Sequence, residues 1–219
     1  MNIHTSTTHT LRPFLRFHYR AGPPGPVVHT LAALDGRHTV GVLAISMPTL
    51  NALGRSAFPM PTGPASSRAQ WLNTNLRTIS RVIVEPRHRG QGIASALIRH
   101  YLAQPLTRFT EALASMGHVS PLFEAAGMVQ RHTPIPARDQ RLIRVLDRLA
   151  IDIDALIDAD ATAQLLTLHP DLATALASWA NDSKATRALR NTPLSIAPRA
   201  AQRLLFPPCV YHAPNGQPV

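Results

Sequence analysis

Apolar and polar positions along the 219-residue chain change period several times, and each change marks an element. Residues 1–12 (MNIHTSTTHTLR) are polar and threonine-rich, which predicts a loose tail. The AGPPG run at 21–25 is a turn that neither a helix nor a central strand can hold. Two β-branched, apolar runs, Val27–Leu34 and Thr39–Met47, flank Asp35-Gly36, the pattern of a hairpin. Pro48 ends the second run. Residues 49–67 carry Gly54, Pro59, Pro61, Gly63 and Pro64 and predict a long surface loop, a length that goes with function or mobility. A short helix is expected over Ser66–Arg77, with Ser66 or Ser67 as its N-cap.

Thr78–Val84 (TISRVIV) is a nearly continuous β-branched run, as in a buried central strand, and it stops at Glu85-Pro86. From about 93 to 103, Ile93, Ala94, Leu97, Ile98, Tyr101 and Leu102 share one face at helical spacing. Phe109–Ala114 is a further strand. Residues 120–128 (SPLFEAAGM) suit a short helix, with Pro121 near its start and Gly127 past its end. After Pro136 the β-branched and aromatic residues thin out and Ala, Leu and Asp increase. Helical periodicity runs through 138–150, 154–168 and 170–181, with Asp154 and Pro170 suited to helix starts. Cys209-Val210-Tyr211, after two prolines, forms a last short strand. The pattern predicts an α/β protein with a tail over 1–12, a core over 13–136, a helical insertion or extension over 137–206, and a final strand and tail over 207–219.

Composition narrows this picture. A 23.8 kDa chain with 45% apolar residues has enough to bury one domain core and an appendage. The single Cys209 excludes a disulfide framework and a cysteine-built zinc site, and no metal is expected. No apolar run approaches the roughly 18 residues that span a bilayer, and the first residues lack a signal-peptide pattern. The expectation is a cytoplasmic protein without a membrane partner. The aspartates between Asp147 and Asp160 lack the glycine turn and terminal Glu of a calcium loop, and suit helix caps and a solvated face.

Charge is distributed unevenly. Of the formal +10, all resides in residues 1–110, where twelve Arg face only Asp35 and Glu85. A genome that favours Arg codons explains Arg over Lys but not the missing acids. Such a field favours anionic partners: nucleic acid, nucleotides or the phosphates of a coenzyme. Arg12, Arg16 and Arg20 precede the Pro/Gly turn, and Arg55 and Arg68 flank the long loop, so these five are expected on a nucleic-acid-binding surface.

The strongest chemical signal is Arg89-Gly90-Gln91-Gly92-Ile93-Ala94, which follows the buried strand and opens the amphipathic helix. Glycines let the backbone turn sharply and approach a ligand, and the unpaired amides of the helix start point at it. Arg87 and Arg89 add mobile positive charge. The third glycine and downstream acid of a dinucleotide fold are absent, as is the Lys-Ser/Thr of a P-loop.

This arrangement resembles the GNAT superfamily of acyl-coenzyme A-dependent N-acyltransferases. Arg89-x-x-Gly92-x-Ala94 matches the family's Q/R-x-x-G-x-G/A motif, and Phe123-Glu124-Ala125-Ala126-Gly127-Met128 is similar to its short helix ending in Glu-x-x-Gly-Phe. The resemblance implies a mixed, mostly antiparallel sheet with flanking helices, covering about residues 14–135. It implies that acetyl-CoA is the co-substrate and an amine the acceptor. The amides of Gln91, Gly92, Ile93 and Ala94 would then hold the pyrophosphate, with Arg89 and Gly90 in the same cofactor-binding turn. The edge of Val82, Ile83 and Val84 would pair with the pantetheine arm in a V-shaped slot between that strand and 109–114. Many members place a Tyr acid where this chain has Phe123.

Several side chains stand near that slot. Glu111 and Glu85 could each deprotonate the amine, although Glu85 also suits a solvated place beside Arg87. Arg81 either pairs with Glu111 or grips an anionic acceptor, and Ser80 and Arg81 interrupt the strand so that one must face inward. His118 follows a Met-Gly turn near the slot and is a second candidate to meet substrate. His18-Tyr19, taken with Ser80-Arg81, is similar to GNAT-like phage enzymes of the Mom type that modify DNA bases. A base on nucleic acid is therefore the alternative acceptor, and a non-catalytic nucleic-acid-binding module the alternative class.

Overall fold

The computed structural model describes residues 1–18 and 24–214. The chain divides into two compact units, Met1–Thr133 with the segment from Cys209 onward, and Pro134–Pro208.

The first unit is built on one sheet. Its strands are β1 (Asn2–Ser6), β2 (Val27–Asp35), β3 (His38–Ser46), β4 (Leu76–Val84), β5 (Phe109–Ala114), β6 (Val129–Arg131) and β7 (Cys209–Pro214), in spatial order β1-β2-β3-β4-β5-β7-β6. Every neighbouring pair is antiparallel except β4 and β5, which are parallel. The crossover between those two carries helix α3 (Ile93–Ala103), since α1 (Thr8–Leu11) and α2 (Ala65–Asn75) come earlier in the chain. The fold class is thus a mixed, mostly antiparallel α/β sheet, as the sequence pattern and the family resemblance implied.

Each sheet face has its own cover. Ile93, Leu97, Ile98 and Tyr101 of α3 pack with Leu31, Leu43, Ile45 and Ile79 on one face. Leu11 and Phe14 pack with Val42, Ala44 and Ile83 on the other. The phase of β4 changes midway. Ala44 opposes Arg81 and Ile45 opposes Ile79, so Ser80 is an extra residue with nothing across from it, a β-bulge. Because of it Ile79 shares the α3 face with Val82 and Val84, while Ile83 turns to the other. The Ser80 hydroxyl is tied within the sheet, 2.7 Å from Ser46 Oγ and donating to the Ala44 carbonyl at 3.1 Å.

Four expectations are corrected. Residues 1–12 are not a loose tail: β1 pairs along β2, with Ile3 opposite Ala33 and packed on the core, and α1 follows. Its polar residues suit an edge strand, where only one face needs to be apolar. The loop after Pro48 is not simply a surface loop, because it folds a 3-10 turn, Arg55–Ala57, that buries Arg55 and Phe58. Its helix, α2, starts at Ala65 after an extended Pro64, not after Ser66 or Ser67. The 120–128 segment forms successive turns and not a helix: Ala125 N–H donates to Pro121 O (2.9 Å) and Met128 N–H reaches back to Phe123 O (3.0 Å), so the chain closes on itself before a helix can propagate.

The second unit comprises α4 (Ala137–Arg148), α5 (Ala159–Leu168), α6 (Pro170–Asn181) and α7 (Pro193–Leu205). The α5 start lies later than the sequence pattern placed it. Asp154 sits in a 3-10 turn, and Asp158 is the N-cap, accepting from the Ala161 amide at 2.7 Å. Helix α7 was hidden by its prolines: Pro193 takes the first turn, where no amide bond is lost, and Pro198 is accommodated inside the helix. Leu142, Leu146, Leu172, Leu176 and Trp179 form the core with Ile196, Ala197, Ala200 and Ala201.

One polar network lies within that core. Asp139 accepts from Trp179 Nε1 at 2.7 Å and from Arg203 Nε at 3.2 Å, with Arg138 Nε 3.4 Å away and its guanidinium over the Trp179 ring. Asp139 is the acid that pairs with both arginines, so its loss would leave two largely buried cations without their ion-pair partner. Asp139→Ala is expected to destabilise the protein by about 3 kcal/mol, the lower end for breaking a buried pair, read as a fall in the denaturant midpoint. A change within about 0.5 kcal/mol, the range of ordinary surface substitutions, would show that the network carries little.

Candidate functional site

The site begins where two parallel strands separate. β4 and β5 pair only from Leu76 opposite Phe109 to Ile79 opposite Ala112. Beyond the bulge, β4 continues through Ser80–Val84 with β3 on one side and, among the described residues, no strand on the other. A cleft of about 100 Å³ occupies the fork. Its walls are Ile79–Val82 of β4, Leu113 and Ala114 of β5, the turn residues Met116, Ser120, Leu122 and Phe123, and His18. The backbone edge at Val82, Ile83 and Val84, beyond its pairing with β5, flanks this opening, as a strand-like ligand would require, although Val84 O already accepts from Arg89 Nε at 3.3 Å.

The turn beyond β4 is held in shape from both ends. Glu85 N–H donates to Val40 O at 2.9 Å, and a 3-10 turn covers Pro86–His88. Gly90 and Gly92 then adopt φ of +79° and +75°, conformations that side chains resist, and Gly92 is the N-cap of α3. A Cβ at Gly92 would meet nothing within 4 Å, so the space over the helix start is open. Arg89 is not mobile as expected: it donates to Val84 O and, across the chain, to Phe17 O at 3.2 Å. Arg87 remains exposed and pairs with Glu85 at 2.9 Å.

The two candidate carboxylates differ in their surroundings. Glu111 is 1% exposed and is not in the cleft wall. Its Oε2 accepts from Arg55 Nη1 at 2.7 Å and its Oε1 from Thr78 Oγ1 at 2.5 Å. Burial pushes its pKa up, against the pull of Arg55 and Thr78. Glu85 lies between Arg87 and His88 (Nδ1 at 3.2 Å), and the Arg87 hydrogen bond chiefly holds its pKa down, which weakens it as a base. It faces a second, larger cleft of about 600 Å³, lined also by Phe14, Arg16, Phe17, Asp35, His38, Arg87 and His88.

The expected Arg81–Glu111 pair is replaced by Arg55–Glu111. Arg81 is buried in the cleft wall and donates to Ser80 O at 2.7 Å. The structure thus brings His18, Ser80 and Arg81 to one cleft. Tyr19 and Arg20 lie outside the described residues. His118 is exposed on the turn after β5 and is not among the cleft-lining residues. Arg55, counted with the surface arginines, is buried, whereas Arg12 and Arg16 are exposed and Arg68 is half-buried. Phe123 does line the cleft. Behind it, Tyr211 stacks on its ring at 5.0 Å, with the hydroxyl pushed up to about 12 by burial first and by Cys209 next to it.

The sequence pattern assigns Phe58, Tyr211 and His212 no place near the site and puts Arg55 on the surface, whereas all four are buried. His212 stands opposite Glu111 on β7, is 4% exposed and stacks on Phe58 at 4.2 Å. Alternation along β7 was the only available signal, and six residues beside two prolines carry little of it. Among the described residues no group of three or more His, Cys, Asp or Glu could hold a metal ion, and no helix is long and apolar enough to cross a membrane.

Burial, with Arg131 and Arg55 nearby, lowers His212 from 6.5 to about 4. The unfolded chain therefore binds this proton more readily between those values, so the stability tied to His212 is full above pH 6.5 and is lost as the pH falls to about 4. The expected loss is about 3 kcal/mol, at 1.36 kcal/mol per unit. Glu111, shifted upward, acts in the opposite direction. The measurement is therefore the difference in acid stability between wild type and His212→Gln, and parallel curves from pH 7 to 4 would refute it.

No curated protein matches the chain. The sequence model of the acetyltransferase (GNAT) family matches residues 3–112, half of the chain. That span runs from β1 through the glycine turn and α3 into β5, and with the forked β4–β5 pair it leaves one conclusion: the chain belongs to the GNAT acetyltransferase family.

Proposed function

We infer that the protein transfers an acetyl group from acetyl-CoA to an amine. The observation that carries this reading is the edge of β4 beyond its pairing with β5, which leads directly into an open, glycine-shaped helix start. The amides at Gln91–Ala94 and the positive end of α3 suit a pyrophosphate. The edge at Val82–Val84 offers backbone donors and acceptors to an extended amide-bearing arm. Acyl transfer then needs removal of the amine's proton and a donor for the departing thiolate.

Among the cleft side chains His18 carries the imidazole, and it is assigned to take the amine's proton. Glu111 is closed off by Arg55 and cannot serve while that pair is intact. Phe123 has no proton to give, so the thiolate is protonated from another source. A cytoplasmic setting suits the lone free thiol of Cys209.

Isothermal titration with acetyl-CoA tests the reading. Wild type should bind. Gly92→Glu should abolish binding, because it adds a carboxylate where the pyrophosphate belongs and forces a side chain into a φ of +75°. Unchanged affinity in a folded Gly92→Glu variant would remove the turn from the site.

A second reading concerns the acceptor and rests on exposed charge. Arg12, Arg16, Arg37, Arg87 and Arg89 are all exposed, and the larger cleft sets the Arg16 guanidinium 4.7 Å over the Phe17 ring beside His38 and His88. Cations with an aromatic platform suit single-stranded nucleic acid. On this reading the acceptor amine belongs to a nucleic-acid base, or the protein binds nucleic acid without turnover. Fluorescence anisotropy with an oligonucleotide should show binding that weakens with salt, each phosphate contact adding roughly 0.7–0.9 to the log–log slope. Absence of binding at about 50 mM salt, where such contacts are strong, leaves a small or protein-borne amine as the acceptor.

A further inference from the structure

The loop between β3 and α2 places a cation where the fold has built a receptor for one. Glu111 and Thr78 lie on paired positions of β5 and β4, just before the strands separate. The sheet therefore fixes this carboxylate rigidly beside the cleft. Trp71 stacks on Phe109, Phe58 meets Phe109 edge-on at 5.5 Å, and the His212 ring lies 4.2 Å from that of Phe58. A buried carboxylate with an aromatic wall is a setting for an ammonium or guanidinium.

Arg55 fills that setting, but incompletely. Nη1 reaches Glu111, and Nη2 reaches Thr49 O of its own loop at 2.7 Å. Nε is buried and has no hydrogen-bond partner among the described residues, and the same holds for His212 Nε2. The loop's turn closes on itself: Ala57 N–H donates to Gly54 O, Phe58 N–H to Arg55 O and Met60 N–H to Phe58 O. It is anchored by the Arg55 ion pair, by the apolar side chains of Leu50, Phe58 and Met60, and by Phe58 against His212 of β7. Gly54 fits tightly at φ +79°, where a Cβ would fall 2.6 Å from Val210 Cγ1 and 3.3 Å from His212 Nε2. A buried ion pair is a weak source of stability, and an apolar pair of similar size would hold the loop as well.

We propose that residues 49–60 form a displaceable strap, with Arg55 as an internal stand-in for the cationic end of the acceptor. The acceptor is then an amine carrying a second cationic group. That group displaces Arg55 from Glu111 while the reacting amine lies in the neighbouring cleft. The strap keeps the carboxylate neutralised and dry until such a ligand arrives, and an amine without a second charge does not open it. This rests on the reading of the cleft as an acetyl-transfer site.

The test uses the full chain without coenzyme. Hydrogen–deuterium exchange of residues 49–60 is followed against 4-guanidinobutylamine and 1,4-diaminobutane, with n-butylamine as the singly charged control. The dications should raise exchange saturably, and n-butylamine should not. Arg55→Met removes the competing cation and should bind the dications at least roughly ten-fold more tightly than wild type, because apparent affinity scales with the open fraction. Glu111→Gln should abolish the response. Exchange unmoved by either dication in wild type overturns the proposal, as does a folded Arg55→Met that binds them no better. If Arg55→Met does not fold, the wild-type exchange decides alone. A failed acetyl-CoA titration would remove acetyl transfer and leave the exchange response standing. A silent strap with intact coenzyme binding removes only the strap.

Discussion

One extra residue, Ser80, governs the first unit. A regular β4 would have stayed in phase, with Ile79, Arg81 and Ile83 on a single face. The bulge keeps Ile79 in the α3 core and turns Arg81 away from it, so a guanidinium stands in the cleft wall and not in that core. Bulges increase local twist, and here the parallel pairing of β4 with β5 ends at the same place. The cleft, the free edge and the approach to the glycine turn all follow from that separation. The Ser80 hydroxyl, bonded to Ser46 and the Ala44 carbonyl, satisfies the disturbed ladder from within.

A free edge inside a sheet is a cost unless something uses it. On the opposite side β3 takes up hydrogen bonds of β4 past the bulge, so the strand continues in register to Val84. The far end is fixed by Glu85 N–H on Val40 O and by Arg89 on Phe17 O. These bonds make the turn rigid before any ligand binds, so little ordering entropy is left to lose.

The elements with strong periodicity were legible in the sequence: the β2–β3 hairpin, the buried β4, helix α3 and the glycine turn between them. Each has a local cause, such as Asp35-Gly36, a β-branched run or an apolar stripe. What the sequence hid depends on partners remote in the chain. The tail becomes β1 only because β2 offers Ala33 opposite Ile3. Arg55 is chemically the same as the solvated Arg12 and Arg16, and nothing near it in sequence foretells Glu111, 56 residues away. Arg81 was given Glu111 because they lie on adjacent strands, but the bulge changes its phase and the loop supplies a closer cation. Asp158 and Asp154 are equivalent caps on paper, and the intervening 3-10 turn decides between them.

The proton inventory of the cleft follows from which groups remain wet. Tyr211 and Glu111 both have the right chemistry, yet each is sealed. The tyrosine lies behind Phe123 with its hydroxyl at about 12, and the carboxylate lies under the Arg55 strap. Burial shifts both groups toward their neutral forms, which makes the phenol a poor acid, while Arg55 and the Thr78 hydroxyl pull the carboxylate back toward its charged form. Arg55 is itself pushed down by the same burial, so the pair holds its charges through mutual attraction against desolvation on both sides. Such a balance is easily shifted by a competing cation, whereas Thr78, fixed in the sheet, is not. With the Arg55–Glu111 pair closed, the acid–base chemistry of the site is left to the residues that line the open cleft.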